Sequence, residues 1–234
     1  MSARGAAVVT GAGTGIGRAV AIALAARGHA VVVTGRRTEL LDATVAEIVA
    51  SGGTARAVAL DVTDESAVDA LFAELASGRV DVVVANAGSF VRGAVVDLDL
   101  ADWSVQVDVN LTGAFLTLRA AARVMRAQEP VDGVRGHLFT LNSGAGVGGF
   151  PTGSGYSAAK HGVRGLVDSL RPEVAPLGIK VTDIVVSATV DSEMSAGRDV
   201  PKIPASTVGH TVTSCLDLPG AATWDRVDLA QLRP

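Results

Sequence analysis

The chain reads as an α/β protein, a single doubly wound Rossmann-type domain over residues 1–234 with a parallel sheet of about seven strands flanked by helices. Three observations predict this. Short aliphatic runs alternate with amphipathic stretches from end to end, the pattern of strand–helix–strand units closing right-handed crossovers. Hydrophobic residues make up 48% of the chain and aromatics only 3%, so the core is aliphatic, as suits parallel strands covered on both faces. A glycine-rich turn separates the first aliphatic run from the first amphipathic stretch.

The strands are expected at Ala6–Thr10, Ala30–Thr34, Ala55–Leu60, Val80–Ala85, His137–Asn142 and Ile179–Val186, with a last edge strand within Trp224–Leu229. Arg18–Arg27 reads as a helix closed by Gly28. Thr38–Ala50 is the next, ended by Gly52 and Gly53. Thr63 or Asp64 caps a third, whose buried face is Val68, Leu71, Phe72 and Leu75 at helical spacing. Trp103–Met125 is helical, and another helix opens at Tyr156. Pro172 is expected to kink that helix or end it early. No repeat, low-complexity segment or Pro-rich linker divides the chain.

Composition narrows the function classes. A net charge of −4 is small and of the wrong sign for nucleic acid. Cys215 is the single cysteine, so no internal disulfide forms and a reducing cytoplasm is expected. The first strand starts too early to leave room for a signal peptide, and the longest apolar run near it, Ala19–Ala26, is far short of a membrane span of ~20 residues. No metal site is expected.

The candidate chemistry lies just past strand ends, where a doubly wound sheet holds its ligand. Thr10-Gly11-Ala12-Gly13-Thr14-Gly15-Ile16-Gly17 runs from a strand into a helix. Free N–H groups, a favourable helix dipole and missing Cβ atoms suit an anionic phosphate there. The spacing is G-x-x-x-G-x-G, not G-x-G-x-x-G. A ligand-free tight turn is the alternative. The second strand ends in Arg36-Arg37 where a NAD site would carry an acid, so two guanidiniums are placed to hold a ribose 2′-phosphate, or else are solvated charges. Asp61 either accepts from an adenine amine or caps the next helix.

Tyr156 and Lys160 stand at i and i+4, one turn apart on one helical face. A cation beside a phenol favours phenolate and lowers its pKa, which suits a group that gives and takes a proton. An ordinary helix pair has the same spacing. Ser143 ends the fifth strand, Asn86-Ala87-Gly88 follows the fourth, and Asn110 lies inside a helix. Each also has a structural reading, as a cap, a turn and a buried hydrogen bond.

Taken together, these motifs resemble the short-chain dehydrogenase/reductase family from about Ala6 to Met194. The resemblance implies an NADPH-dependent carbonyl reductase or alcohol dehydrogenase. In it Tyr156 is the proton donor or acceptor, Lys160 lowers its pKa and bonds the nicotinamide ribose, Ser143 orients the substrate oxygen, and Asn110 holds a water. It implies that Gly11, Thr14, Gly15, Ile16 and Gly17 line the pyrophosphate and that Asp61 and Val62 face the adenine. Asn86, Ala87, Gly88, Val190 and Ser192 flank the cofactor, and Arg36 and Arg37 select NADP over NAD. It further implies a homodimer or homotetramer acting on a small carbonyl or alcohol. Ser89, Phe90, Ala145, Phe150, Pro151 and residues 187–204 are the expected pocket walls. The chain departs from the family pattern at Ser187-Ala188, where Pro-Gly is usual, and in a short segment from Met194 to Pro204. A catalytically silent NADP-binding sensor or scaffold, and an epimerase or dehydratase on the same fold, are the alternatives.

Overall fold

The computed structural model describes residues 4–220 and 222–232. Seven strands form one sheet: β1 (Ala6–Thr10), β2 (Ala30–Gly35), β3 (Thr54–Ala59), β4 (Val80–Ala85), β5 (Gly136–Ser143), β6 (Ile179–Val186) and β7 (Arg226–Leu229). Their order is β3-β2-β1-β4-β5-β6-β7 and every pairing is parallel. The strand order reverses between β1 and β4, which opens a crevice above their carboxyl ends.

Alternation along the strands divides the core. Val9, Val33, Val84, Leu141 and Ile184 face one layer, made by α1 (Gly15–Ala26), α2 (Thr38–Ala50) and the later helix Ala205–Cys215. Val8, Val32, Val83, Leu138 and Val181 face the other, made by α3 (Glu65–Leu75), the helical run Leu100–Ala127 and the helix Ser154–Val174. Fully buried side chains such as Leu24 and Phe139 carry this packing, and cutting either to Ala costs about 2–5 kcal/mol. Within the helical run, α4 (Leu100–Val107) and α5 (Gly113–Ala127) are joined by one wide π turn, Asp108–Thr112, that carries Asn110. Single π turns inside α-helices often accompany functional sites.

The expected strands are all present, with ends shifted by a residue or so. Asp64, not Thr63, caps α3, accepting from the Ala67 N–H at 3.0 Å. Pro172 does not stop α6 (Ser154–Val174) at once: it falls in the last turn, and the helix closes two residues later. α7 (Ala205–Cys215) had no counterpart in the sequence reading. It packs on α1 so closely that a Cβ on Gly209 would lie 2.7 Å from the Ala19 carbonyl oxygen, and it buries Cys215. At the usual Pro-Gly position, the Ser187 N–H donates to Leu229 O at 2.8 Å. Proline has no such donor, so the substitution extends the bonding to β7 by one link.

Among the described residues, no helix is long and apolar enough to cross a membrane, and no cluster of His, Cys, Asp and Glu is arranged to hold a metal ion.

Candidate active site

A groove of about 290 Å³ runs across the crevice between β1 and β4. One end is made of backbone. Gly11 has φ +65°, and a Cβ there would lie 2.9 Å from Ala87 Cα. A Cβ on Gly17 would collide with the Gly11 carbonyl oxygen. The turn between them is fixed from both sides: Ala12 N–H donates to Thr34 O at 3.0 Å, and Thr44 Oγ1 donates to Ala12 O at 3.1 Å. Thr10 Oγ1 accepts from both Asn86 N–H and Ala87 N–H at 3.0 Å, while Asn86 Nδ2 donates to Thr10 O at 2.8 Å. Asn86 thus joins the ends of β1 and β4. Thr14, Gly15, Ile16, Val62 and Gly88 line the same groove.

The two arginines have different surroundings. Arg37 pairs with Glu193 at 2.8 Å, and Thr14 Oγ1 also donates to that carboxylate at 3.4 Å. Glu193 therefore offsets the Arg37 charge at the rim. Arg36 lines the groove near Asp61. Asp61 Oδ1 accepts from Thr63 N–H at 3.0 Å and Thr63 Oγ1 at 2.8 Å. The Thr63 N–H, then its hydroxyl and Arg36, hold the Asp61 carboxyl below its usual range, against a smaller opposing effect of burial. Asp61 does not cap the next helix, whose N-cap is Asp64; the Asp61 Oδ1 closes the turn at Thr63 instead.

The other end of the groove is made of side chains. Tyr156 and Lys160 lie one turn apart on α6, with Lys160 Nζ 5.7 Å from the centre of the phenol ring. Lys160 is buried and donates to Leu141 O at 2.8 Å. Burial pushes its pKa down to about 8, partly opposed by the nearby Asp183 carboxylate. The expectation that Lys160 lowers the Tyr156 pKa is not met. Burial pushes the phenol above its ordinary value, and only the neighbouring Ser143 hydroxyl pulls the other way. Ser143 ends β5, its Oγ accepting from Ala145 N–H at 3.1 Å.

Two further residues organise this end. Asn110 Nδ2 donates to Ser89 O and to Gln106 O, each at 2.8 Å, while its buried Oδ1 has no protein partner and faces Gly88. Asp183 is buried on β6, where its carboxylate accepts from Thr140 Oγ1 at 2.5 Å and Asn142 Nδ2 at 3.0 Å. Asn142 Oδ1 in turn accepts from Ser143 N–H at 2.8 Å. Sequence reasoning missed Asp183, although a lone carboxylate within an expected strand was a usable signal. It also missed Glu193, for which no comparable signal existed.

Ser192 packs against Gly15 and lines the groove. Val190, expected beside the cofactor, instead turns its side chain into the core, with its carbonyl accepting from Ser195 Oγ at 2.7 Å. The groove fits a dinucleotide on two counts: a glycine turn, packed too tightly at Gly11 and Gly17 for any Cβ, that lines the groove where a helix begins, and an orphaned buried acceptor on Asn110.

Comparison with known proteins agrees. A family model described as short chain dehydrogenase matches residues 5–200. A 3-oxoacyl-(acyl-carrier-protein) reductase of Synechocystis sp. is 36% identical over 210 residues, covering 87% of this chain and 83% of that protein. A metagenomic short-chain oxidoreductase solved in complex with NADP is 32% identical, with a TM-score of 0.85 and 99% of both chains covered. A variant of actinorhodin polyketide ketoreductase solved with NADPH is 29% identical, with a TM-score of 0.85, covering 96% of this chain and 94% of that one. The backbone cradle, the Tyr156–Lys160 pair and these likenesses lead to one conclusion: the chain belongs to the short-chain dehydrogenase family of oxidoreductases.

Proposed function

We propose that the protein is an NADPH-dependent carbonyl reductase, or in reverse an alcohol dehydrogenase. The observation that carries this reading is Tyr156 and Lys160 beside Ser143 at one end of a groove whose other end is a glycine cradle. When bound, the nicotinamide supplies or accepts the hydride. Gly11, Thr14, Gly15, Ile16 and Gly17 would hold its pyrophosphate, with Asp61 and Val62 toward the adenine and Asn86, Ala87, Gly88 and Ser192 along its flank. Arg36 is the better placed of the two arginines for a 2′-phosphate, because Glu193 already engages Arg37.

Tyr156 stays protonated at neutral pH, since burial raises its pKa, and so holds the proton that a developing alkoxide takes. Ser143 Oγ is a second donor for the same oxygen. Lys160 spends one N–H on Leu141 O and has two left. As the phenol loses its proton, the ammonium stabilises the phenolate. The orphaned Asn110 Oδ1 suits an ordered water that returns the proton.

We further infer a cytoplasmic homo-oligomer. A groove on α5 and α6 lined by Phe115, Leu166 and Leu170 supports the assembly.

The reading is tested with purified protein and a panel of aldehydes, β-keto esters and cyclic ketones, following cofactor absorbance. NADPH is expected to be consumed and NADH scarcely so. Tyr156→Phe should lower kcat by about 10³-fold and leave NADPH affinity intact. NADPH binding with no turnover on any carbonyl would instead support a silent binding protein.

A further inference from the structure

The chain has five Phe, two Trp and one Tyr in all, and three of these eight rings meet at the mouth of the site. The Phe90 and Tyr156 ring centres are 5.4 Å apart at 67°, and those of Phe90 and Phe150 are 6.0 Å apart at 50°. Phe72 and Phe139 lie in the core, whereas Phe150 remains 39% exposed against Phe90, the ring that meets Tyr156, and Met194 on the groove wall is 51% exposed. What sets Phe150 apart from Phe115, Trp103 and Trp224, which are about as exposed, is its place in a run of rings that ends at Tyr156.

The two rings are held in place. Phe90 follows β4 and Phe150 precedes α6, and these two segments are joined by backbone: Gly93 N–H donates to Thr152 O at 3.1 Å, and Gly93 pairs with Gly153 in a parallel bridge. The Phe150 ring lies where a Cβ on residue 153 would be, so only glycine admits it. Thr152 has φ +64°, a left-handed backbone rare for a β-branched residue and kept only where the surroundings enforce it. A strained, stitched pair of loops is a way to present rings rigidly.

We propose that Phe90 and Phe150 form a recognition seat for the part of the substrate beyond its reacting carbon, and that this part is a flat ring system with an aromatic face. The substrate class is then a ketone, or its secondary alcohol, borne on such a ring. The inference rests on the carbonyl-reductase reading above and adds the substrate class to it. The carbonyl oxygen sits at Tyr156, and the ring edge meets Phe90 in the edge-to-face arrangement that aromatic quadrupoles favour.

The test uses the full chain with NADPH and two bicyclic ketones of one skeleton, β-tetralone and its saturated counterpart β-decalone. In neither is the carbonyl conjugated to a ring, so their intrinsic reactivities are close. Phe90→Leu and, separately, Phe150→Leu keep apolar bulk and remove the ring. Each should lower kcat/KM for β-tetralone about tenfold more than for β-decalone, of the order expected for one aromatic contact. Equal losses on both ketones, or no loss on either, overturn the proposal. Calorimetric titration of β-tetralone into the protein with NADP separates this inference from the reading it rests on. Binding that weakens in Phe90→Leu supports the seat even if wild-type protein turns over no ketone, whereas no binding to wild-type protein overturns it.

Discussion

The two ends of the groove solve opposite problems. The phosphate end is backbone, with N–H groups at a helix start, a left-handed Gly11 and a Gly17 that admits no Cβ. The chemical end is side chain: a buried ammonium, a half-buried phenol, and a buried carboxylate joined to Thr140 and, through Asn142, to Ser143. On the function proposed above, the first end would recognise a charge by shape and dipole and would be broken by bulk. The second tunes protonation and is broken by removing charge while shape is kept.

After the loss expected for Tyr156→Phe, the largest effect is expected at the phosphate end. Gly17→Ala should weaken NADPH binding by about a hundredfold in a fluorescence titration, as overpacking of close backbone contacts implies. Retained affinity would mean the cradle is not the pyrophosphate seat.

Next is Asp183→Asn, which keeps shape and deletes charge. Because the Asp183 carboxylate raises the Lys160 pKa, its loss should move the basic limb of the kcat profile to lower pH. A fall in kcat of about tenfold, with cofactor affinity unchanged, fits a positioning role through Asn142 and Ser143. An unmoved pH profile would make Asp183 a purely structural residue.

The rim offers a smaller change. Glu193→Gln frees Arg37 and should raise NADPH affinity a few-fold while leaving NADH alone, in keeping with the modest worth of exposed ion pairs. Equal effects on both cofactors would remove Arg37 from 2′-phosphate recognition.

Away from the groove, the difference shows in stability. His137 is buried on β5, its Nε2 2.8 Å from Thr182 Oγ1, and burial pushes its pKa from 6.5 down to about 3. Between those values the unfolded chain binds the proton and the folded one does not, so stability falls as pH drops below 6.5. His29, also lowered by burial, acts in the same direction. Denaturant midpoints measured from pH 7 to pH 4 should slope less steeply in His137→Gln, and parallel slopes would contradict this.

The phosphate end was the more legible in sequence. A glycine-rich turn is written in consecutive residues, and the strand before it and helix after it follow from local periodicity. The chemical end joins residues that only the sheet brings together: Asp183 reaches Asn142 because β5 and β6 lie side by side in register. The i, i+4 spacing placed Tyr156 and Lys160 on one face but said nothing of burial, which is why the phenol shifts up where a bare charge argument moved it down. The Arg36-Arg37 pair was visible as charge, yet its inequality was not, because Glu193 comes from a segment far along the chain. Val190 matched the expected spacing and still turned inward, since a bridge to Ile203 draws it into the core.

The close seam between α1 and α7 gives the molecule a built-in clock. Cys215, the sole thiol, is sealed in that seam, and burial pushes its pKa up to about 11. In the closed protein it meets a thiol reagent as a protonated, inaccessible group. Labelling therefore counts openings of α7 away from the helix that follows the phosphate turn. Anything that holds that turn closed should slow the count.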